Sequence, residues 1–284
     1  MKKFIKLFVL LLVIFTVSGC KKDSMEDISI YTTTYPIEYI TKELYGKYST
    51  VDSIYPNEII ELSDKLIKDY SEGTLFVYNG LSTEKDYAVK MLNNNKNLKI
   101  VDATMGMEYE DGVEELWLNP SNFLMLCLNI RNGMKEYINN GVLRKQLDLN
   151  YEKIKLDLSE LDAEIKLLVE NADDNHILVS NNSLNFLKKY NVEVLSLANK
   201  DTLTDTMINE VKKQINNGNI KYIIMFEGDT LTDEAEKIIK DNNIEKLYFD
   251  SLTTLKSENK KTKKNYITIM NENLDLLKKE LYKD

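Results

Sequence analysis

Side chains that commonly carry out catalysis are scarce in this 284-residue sequence, which contains one histidine, His176, and two cysteines, Cys20 and Cys127. Histidine is the usual acid–base group near neutral pH, so one copy leaves little for proton-transfer chemistry. The sequence also lacks the patterns G-x-S-x-G and H-E-x-x-H and a glycine-rich phosphate loop. A paired-carboxylate hydrolase stays open because acids are plentiful, yet no spacing points to one. These observations disfavour an enzyme.

Carboxylates are the abundant charged groups, since 46 Asp and Glu against 37 Lys and Arg give a net charge of −9. Without the first 19 residues, which hold three lysines and no acid, 34 bases face 46 acids and the net charge becomes −12. Nucleic-acid binding requires clustered Lys and Arg, so no nucleic-acid partner is expected. An acidic body suits an exported protein that meets cations.

Cys20 stands at the end of an export signal. Three lysines precede an apolar run, 7–17, that is shorter than the roughly 20 residues needed to span a bilayer. The run ends in Val-Ser-Gly-Cys, which resembles the lipobox of bacterial lipoproteins, where lipid is attached to the cysteine and the leader is removed. We expect residues 1–19 to be a signal peptide and residues 20–27 a lipidated tether. The protein would then lie on the extracytoplasmic face of the cell membrane.

The other cysteine, Cys127, is left without a disulfide partner once Cys20 carries lipid. It lies in the apolar stretch 123–130, so a buried and inert thiol is expected. Because no disulfide then supports the fold, a hydrophobic core must stabilise it, and 43% apolar residues are enough to build one.

Two series of alternating strands and helices follow the tether. Strands are predicted at 28–34, 75–79 and 99–103 and again at 177–180, 193–197, 222–226 and 246–249. Helices are predicted between them at 38–45, 63–70, 183–190, 205–216 and 233–242, with Thr204 as an N-cap and Gly218 at a helix C-terminus. This alternation predicts an α/β fold with two lobes, each a mostly parallel sheet flanked by helices.

One long amphipathic helix is predicted between the two series. Its apolar residues recur at steps of three and four, and no Gly or Pro interrupts residues 142–170: Leu143, Leu147, Tyr151, Ile154, Leu158, Leu161, Ile165 and Leu168. At 1.5 Å per residue it would be roughly 40 Å long. A coiled coil is the alternative, but the pattern ends after about four heptads. We therefore predict lobes at 28–141 and 172–284 joined by a rigid helix at 142–171.

Several segments in this order resemble one family, the substrate-binding lipoproteins of bacterial zinc and manganese ABC importers, also described as adhesin-like lipoproteins. The segment 75–81, Leu-Phe-Val-Tyr-Asn-Gly-Leu, matches a family strand, and 116–120, Leu-Trp-Leu-Asn-Pro, is similar to the family's HxWLDP segment. The first strand with Tyr35-Pro36 and the closing helix at 265–281 agree as well. The resemblance covers essentially the whole chain after the leader.

The resemblance implies a metal held in the cleft between two lobes, usually by histidine and carboxylate ligands. His176 matches none of the ligand positions and is interpreted as a solvated loop residue. Oxygen donors occupy the corresponding positions: Glu58, Glu115, Asn181 and Asp250. Glu61 is a near alternative to Glu58, and Glu114 is adjacent to Glu115. Only Asp250 keeps the family's residue type. Trp117 is expected in the core rather than at the ligand.

Two interpretations of these positions remain open. In one, the four side chains form an oxygen-only site, which favours Mn²⁺, Mg²⁺ or Ca²⁺ over Zn²⁺. In the other, the site has decayed or been repurposed, because a glutamate at any given place is unremarkable in so acidic a chain. Glu227, after the predicted strand 222–226, is either a further cleft residue or part of a turn.

The resemblance thus implies a membrane-anchored solute-binding lipoprotein of a metal ABC importer. It would capture a divalent cation, of the Mn or Zn type, and deliver it to a membrane permease as a monomer. The alternative keeps the scaffold with a degenerate metal site and makes the protein a receptor for a non-metal solute or a surface adhesion protein.

Overall fold

The computed structural model describes residues 23–198 and 203–282. The predicted signal peptide and the predicted lipidation site, Cys20, lie outside this part of the chain. Within it, no helix is both long and apolar enough to cross a membrane. Among the described residues the buried apolar side chains run from Met25 to Leu281, so a chain that begins at Lys21 contains all of them.

Two four-stranded sheets, each with every strand parallel, form the centres of two lobes. The first contains β1 (Ile28–Thr32), β2 (Ser49–Ser53), β3 (Leu75–Tyr78) and β4 (Lys99–Asp102) in the order β2-β1-β3-β4. The second contains β5 (His176–Val179), β6 (Glu193–Ser196), β7 (Tyr222–Phe226) and β8 (Glu245–Phe249) in the order β6-β5-β7-β8. The predicted α/β class with two parallel lobes is confirmed.

Helices connect and cover these strands. The first lobe has α1 (Tyr35–Tyr45), α2 (Asp64–Tyr70), α3 (Glu84–Asn94), α4 (Glu115–Leu118) and α5 (Pro120–Tyr137). After α6 (Gly141–Glu170), the second lobe has a 3-10 helix (Asn182–Tyr190), α7 (Asp205–Asn216), α8 (Asp233–Asp241), α9 (Ser257–Lys261) and α10 (Tyr266–Leu281). Thr204 caps α7 through a 3.3 Å bond from the Met207 amide, as predicted.

The sequence patterns missed strand β2 and helices α3, α4, α5 and α9, and they misjudged one helix. Strand β2 was not predicted because its sequence, Ser-Thr-Val-Asp-Ser, has a single buried residue, Val51. It is an edge strand whose backbone pairs with β1, so the pairing partner rather than its own hydrophobicity defines it. The predicted helix at 183–190 is a 3-10 helix, which ends where Asn191 adopts a left-handed conformation at φ +67°.

Helix α6 runs as one unbroken helix from Gly141 to Glu170, which confirms the predicted long connector. Seven of its eight predicted apolar residues are buried, and Leu168 is partly buried. This face packs against α1 and α5 of the first lobe and against α10 of the second. One hydrophobic cluster therefore continues from the first lobe through α6 into the second.

Two leucines on α6 test how much this shared core contributes to stability. Leu161 is 1% exposed and Leu167 is 57% exposed. We expect Leu161→Ala to lower the free energy of unfolding by about 2–5 kcal/mol, because it leaves a cavity in the core. Leu167→Ala should change it by no more than about 0.5 kcal/mol. Urea unfolding followed by circular dichroism measures both, and equal effects would contradict the assigned burial.

Candidate functional site

The carboxyl ends of the parallel strands meet at one edge in each sheet. In both sheets the strand order reverses next to the first strand, between β1 and β3 and between β5 and β7. Ligands of open α/β sheets bind outside the carboxyl ends at such a point. Thr33 and Asn79 follow β1 and β3 in the first lobe, and Ser180 and Glu227 follow β5 and β7 in the second.

These two edges are hydrogen-bonded to each other. The Tyr35 amide, after β1, donates to the Thr253 carbonyl, after β8, at 3.0 Å. The Trp117 indole Nε1 donates to the Ser251 carbonyl at 2.7 Å. The buried Tyr266 hydroxyl of α10 donates to the Trp117 carbonyl at 2.5 Å. Trp117 is buried in the core, as predicted, and it also fastens the segment before α5 to the second lobe.

Glu115 is the first residue of α4 and is half-buried. Its carboxylate accepts a 3.4 Å hydrogen bond from the Asn122 side chain. Partial burial, and then the negative charge of Asp111, raise the pKa of the Glu115 carboxyl above its ordinary value. A bound cation would offset both effects, since positive charge favours the ionised carboxylate.

The neighbouring Glu114, rather than Glu115, reaches the other lobe. Its Oε2 accepts a 2.9 Å hydrogen bond from the Ser183 hydroxyl. Gly112 permits this approach, because a Cβ there would overlap the Ser183 hydroxyl. Asn181 lies two residues away, but its side-chain oxygen accepts from the Ser183 amide at 2.8 Å and caps the 3-10 helix.

Asp250 directly follows β8 and is held from several sides. Its Oδ1 accepts from the Leu252 amide at 2.9 Å, and its Oδ2 accepts from the Asn259 side chain at 3.2 Å. The Lys256 ammonium lies 3.9 Å from Oδ2 and 2.7 Å from the Glu227 carboxylate. Lys256 therefore supplies a positive charge beside the one predicted ligand that keeps the family's residue type.

Glu58 lies in the exposed loop 56–61 after β2. This loop also touches the second lobe, since the Lys260 ammonium of α9 donates to the Pro56 carbonyl. Asn259, the residue before Lys260, is the one that donates to Asp250. The segments that carry Glu58 and Asp250 are thus linked through α9.

The four predicted ligand segments converge, whereas the side chains of Glu115, Asn181 and Asp250 accept hydrogen bonds from nearby residues. Within residues 23–198 and 203–282, no three His, Cys, Asp or Glu side chains are grouped so that they could hold a metal ion together. His176 is not the solvated loop residue expected. It begins β5, is half-buried, and its Nδ1 lies 2.9 Å from Asp174. It stands at the amino end of the sheet, opposite the edge that carries Asn181.

The donor set of three carboxylates and one amide oxygen contains none of the His or Cys ligands that structural zinc centres use. Oxygen donors such as Glu115 and Asp250 fit a harder cation better, and that cation would share the space with the Lys256 ammonium. Neither Lys256 nor the buried Glu84 was predicted from the sequence. Lys256 stands seven residues after a strand, and Glu84 stands in the first turn of a helix. Both placements are common for these residue types, so the sequence does not distinguish them as functional residues.

Glu84 begins α3 below the carboxyl edge of the first sheet and is 5% exposed. Its Oε2 accepts a 3.1 Å hydrogen bond from the Asn79 amide, after β3. Burial raises the pKa of the Glu84 carboxyl to about 7, and hydrogen bonds from its neighbours only partly oppose this. Glu84 is therefore a group of the first lobe whose charge changes near neutral pH.

The family model for the periplasmic component A of the zinc-uptake complex, ZnuA, matches residues 30–280. The chain belongs to this family. Among curated proteins, the high-affinity zinc uptake system protein ZnuA of Bacillus subtilis (strain 168) is 22% identical over 99% of this chain and 98% of its own length.

Solved structures show the same two-lobed fold. The Zn(II)-bound ZnuA-like domain of Streptococcus pneumoniae AdcA has a TM-score of 0.71 and 21% identity, covering 90% of this chain and 100% of that domain. The metal-dependent lipoprotein YcdH of Bacillus subtilis has a TM-score of 0.71 and 20% identity, covering 90% and 99%. At these identities the likeness shows the fold, and the ligands must be judged from this chain's own residues.

The buried Glu84 predicts a pH-dependent stability. The pKa of Glu84 is higher in the folded than in the unfolded chain. The contribution of Glu84 to stability is therefore complete below about pH 4.5 and is lost as the pH rises toward 7. Glu84→Gln removes this titration. Relative to the wild type, the variant's free energy of unfolding should therefore increase by roughly 2–3 kcal/mol between those pH values. Glu234→Gln, at an exposed acid on α8, is the matched control for the substitution itself.

Proposed function

We propose that this chain is a lipid-anchored solute receptor on the extracytoplasmic face of the cell membrane. It captures a divalent cation of the Zn²⁺ or Mn²⁺ class between its lobes and delivers it to the permease of an ABC importer. Membership of the zinc-uptake family supports the transport role. The names of the relatives, a zinc uptake protein and a Zn(II)-bound domain, support the class of cation.

The observation that carries the proposal is the convergence of four ligand segments from both lobes. The segment of Glu115 is bonded to those of Asn181 and Asp250, and the loop of Glu58 is bonded to the helix that holds Asp250. A solute at this junction would be bound by both lobes at once. Its capture would therefore be sensitive to small movements of one lobe against the other.

We propose that Glu58, Glu115, Asn181 and Asp250 are the ligands. All four offer oxygen, which hard cations prefer, so Mn²⁺ should compete better here than at a histidine-rich site. The local hydrogen bonds of Asn181 and Asp250 mean that these side chains must turn from their present partners to reach a common ion. The Lys256 ammonium must also move away from Asp250.

Lys256 favours a second candidate function as well. Its ammonium already sits between Glu227 and Asp250, where a cation would otherwise balance the carboxylates. On this alternative the same scaffold has lost its metal and receives a non-metal solute, for which Lys256 provides a positive hydrogen-bond donor.

The metal proposal is tested by thermal unfolding of the chain from Lys21 onward, stripped by chelator and then given Mn²⁺, Zn²⁺, Ca²⁺ or Mg²⁺. A cation at 100 times its dissociation constant should add about 2.7 kcal/mol of stability. The shift should be lost in Glu115→Ala and Asp250→Ala and kept in Glu234→Ala, an exposed acid on α8. The absence of a shift with every cation, in a protein that unfolds cooperatively, would refute metal capture.

Lys256→Met tests whether a cation binds beside Asp250 while preserving the length of the side chain. If a cation binds at Asp250, loss of the nearby ammonium should strengthen cation binding roughly tenfold, since a repulsive charge is removed. The exposed Lys240 of α8 is the control, and Lys240→Met should leave the affinity unchanged. Titration calorimetry measures both variants. Equal affinities in the wild type and Lys256→Met would place the cation away from Asp250.

A further inference from the structure

The chain is fastened to the first lobe three residues after the predicted lipidation site, Cys20. Asp23 is 8% exposed, and its Oδ1 accepts a 2.9 Å hydrogen bond from the Met25 amide. Its Oδ2 accepts from the Asn139 and Asn140 amides, at 2.9 and 2.7 Å, in the turn between α5 and α6. A buried carboxylate that accepts three amide hydrogen bonds is held in one place, so the chain is fixed to the lobe from Asp23 onward.

The next few residues extend this attachment. Met25 is fully buried, and its carbonyl accepts a 2.9 Å hydrogen bond from the buried Tyr45 hydroxyl of α1. The Asp27 amide donates to the Tyr48 carbonyl at 2.8 Å, directly before β1 begins. The attachment therefore lies at the amino end of the first sheet, the end that faces away from the cleft.

The length of chain between the lipid and this attachment limits how far the lobe can stand from the membrane. Two residues, Lys21 and Lys22, separate Cys20 from Asp23. At no more than about 3.6 Å per residue, the Cα atoms of Cys20 and Asp23 lie within roughly 11 Å of each other. On the proposed function, in which Cys20 carries lipid, the surface around Asp23 must therefore lie at the level of the headgroups.

The surface around the attachment carries three cations and one apolar side chain, together called the anchor patch: Lys47, Val142, Arg144 and Lys145. Val142, in the first turn of α6, is 74% exposed. The three basic residues are exposed, and Lys47 directly precedes β2 at the same end of the sheet. None of the three has an acidic ion-pair partner among the described residues. The Arg144 guanidinium donates to two backbone carbonyls at the end of α5, which leaves its charge unbalanced.

We propose that the anchor patch rests on the anionic phospholipid headgroups of the membrane that holds the lipid. Basic side chains near an anionic bilayer strengthen attachment to it, whereas the rest of this acidic chain is repelled. The acids next to the attachment, Glu26 and Asp27, are matched in number by Lys21 and Lys22, so the cations of the patch are in excess.

This placement decides which lobe is free to move. Because β1 runs from the attachment to the carboxyl edge of its sheet, the cleft is held away from the bilayer surface. The first lobe rests on the membrane, so a small rotation about α6 moves the second lobe.

Amide hydrogen exchange of the chain from Cys20 onward tests this proposal, with Cys20 coupled to a maleimide lipid in vesicles. Coupling is selective because Cys127 is buried. Amides of residues 46–48 and 141–145 should exchange roughly threefold or more slowly on phosphatidylglycerol than on phosphatidylcholine vesicles, and about 1 M salt should abolish the difference. Residues 260–264, a lysine-rich segment of the second lobe, should exchange equally on both. Slower exchange only at 260–264, or at none of these segments, would overturn the proposal.

Charge reversal separates the patch from the anchor. Lys47→Glu combined with Lys145→Glu should remove the difference between the two kinds of vesicle. Lys261→Glu combined with Lys263→Glu makes the same change in charge at exposed positions of the second lobe and should keep the difference. Equal effects of the two double variants would show attraction to net charge alone and overturn the patch. Failure of the proposed lipid anchor is distinct, because the maleimide lipid replaces it here: cells would not attach labelled fatty acid to Cys20, and the exchange pattern would stand.

Discussion

A single apolar face on one helix holds both lobes of this protein together. Residues from Leu143 to Ile165 on α6 pack against α1 and α5 on one side of the molecule and against α10 on the other. Because protein interiors are close-packed, the lobes cannot separate without opening this shared core. Relative movement is therefore restricted to small rotations about α6, unlike the wide closure that flexible strand linkers permit.

A second set of contacts, mainly hydrogen bonds, joins the lobes at the carboxyl edges of the two sheets. Trp117, Tyr266 and Tyr35 connect backbone groups that are far apart in sequence, and the stacked rings of Phe123 and Tyr266, 3.9 Å apart, extend the seam into the core. Buried groups of this kind are costly to leave unpaired. The seam therefore sets how closely the segments of Glu115 and Asp250 approach each other.

Charge in the cleft is partly balanced by the protein itself. Asp250 and Glu227 lie beside the Lys256 ammonium. Burial by itself would lower the pKa of Lys256, but the hydrogen bond that it donates to Glu227 and the charge of Asp250 raise it above its usual value. Burial, the charge of Glu38 and then the charge of Asp250 raise the pKa of the Tyr35 hydroxyl in the other lobe. A captured solute would have to replace an arrangement in which one ammonium already offsets part of the charge of two carboxylates.

The linear order of residues determined the elements with strong periodicity. A two-lobed α/β protein and its family could be predicted from three features, because each is a local pattern. They are the three- and four-residue steps of α6, the apolar strands of both sheets and the segment around Trp117. Contacts between distant residues were decided only by the tertiary structure. Strand β2 exists through pairing with β1, Asn181 is used as a cap, and Lys256 stands beside Asp250. None of these follows from spacing, since each depends on which surfaces the packed core brings together.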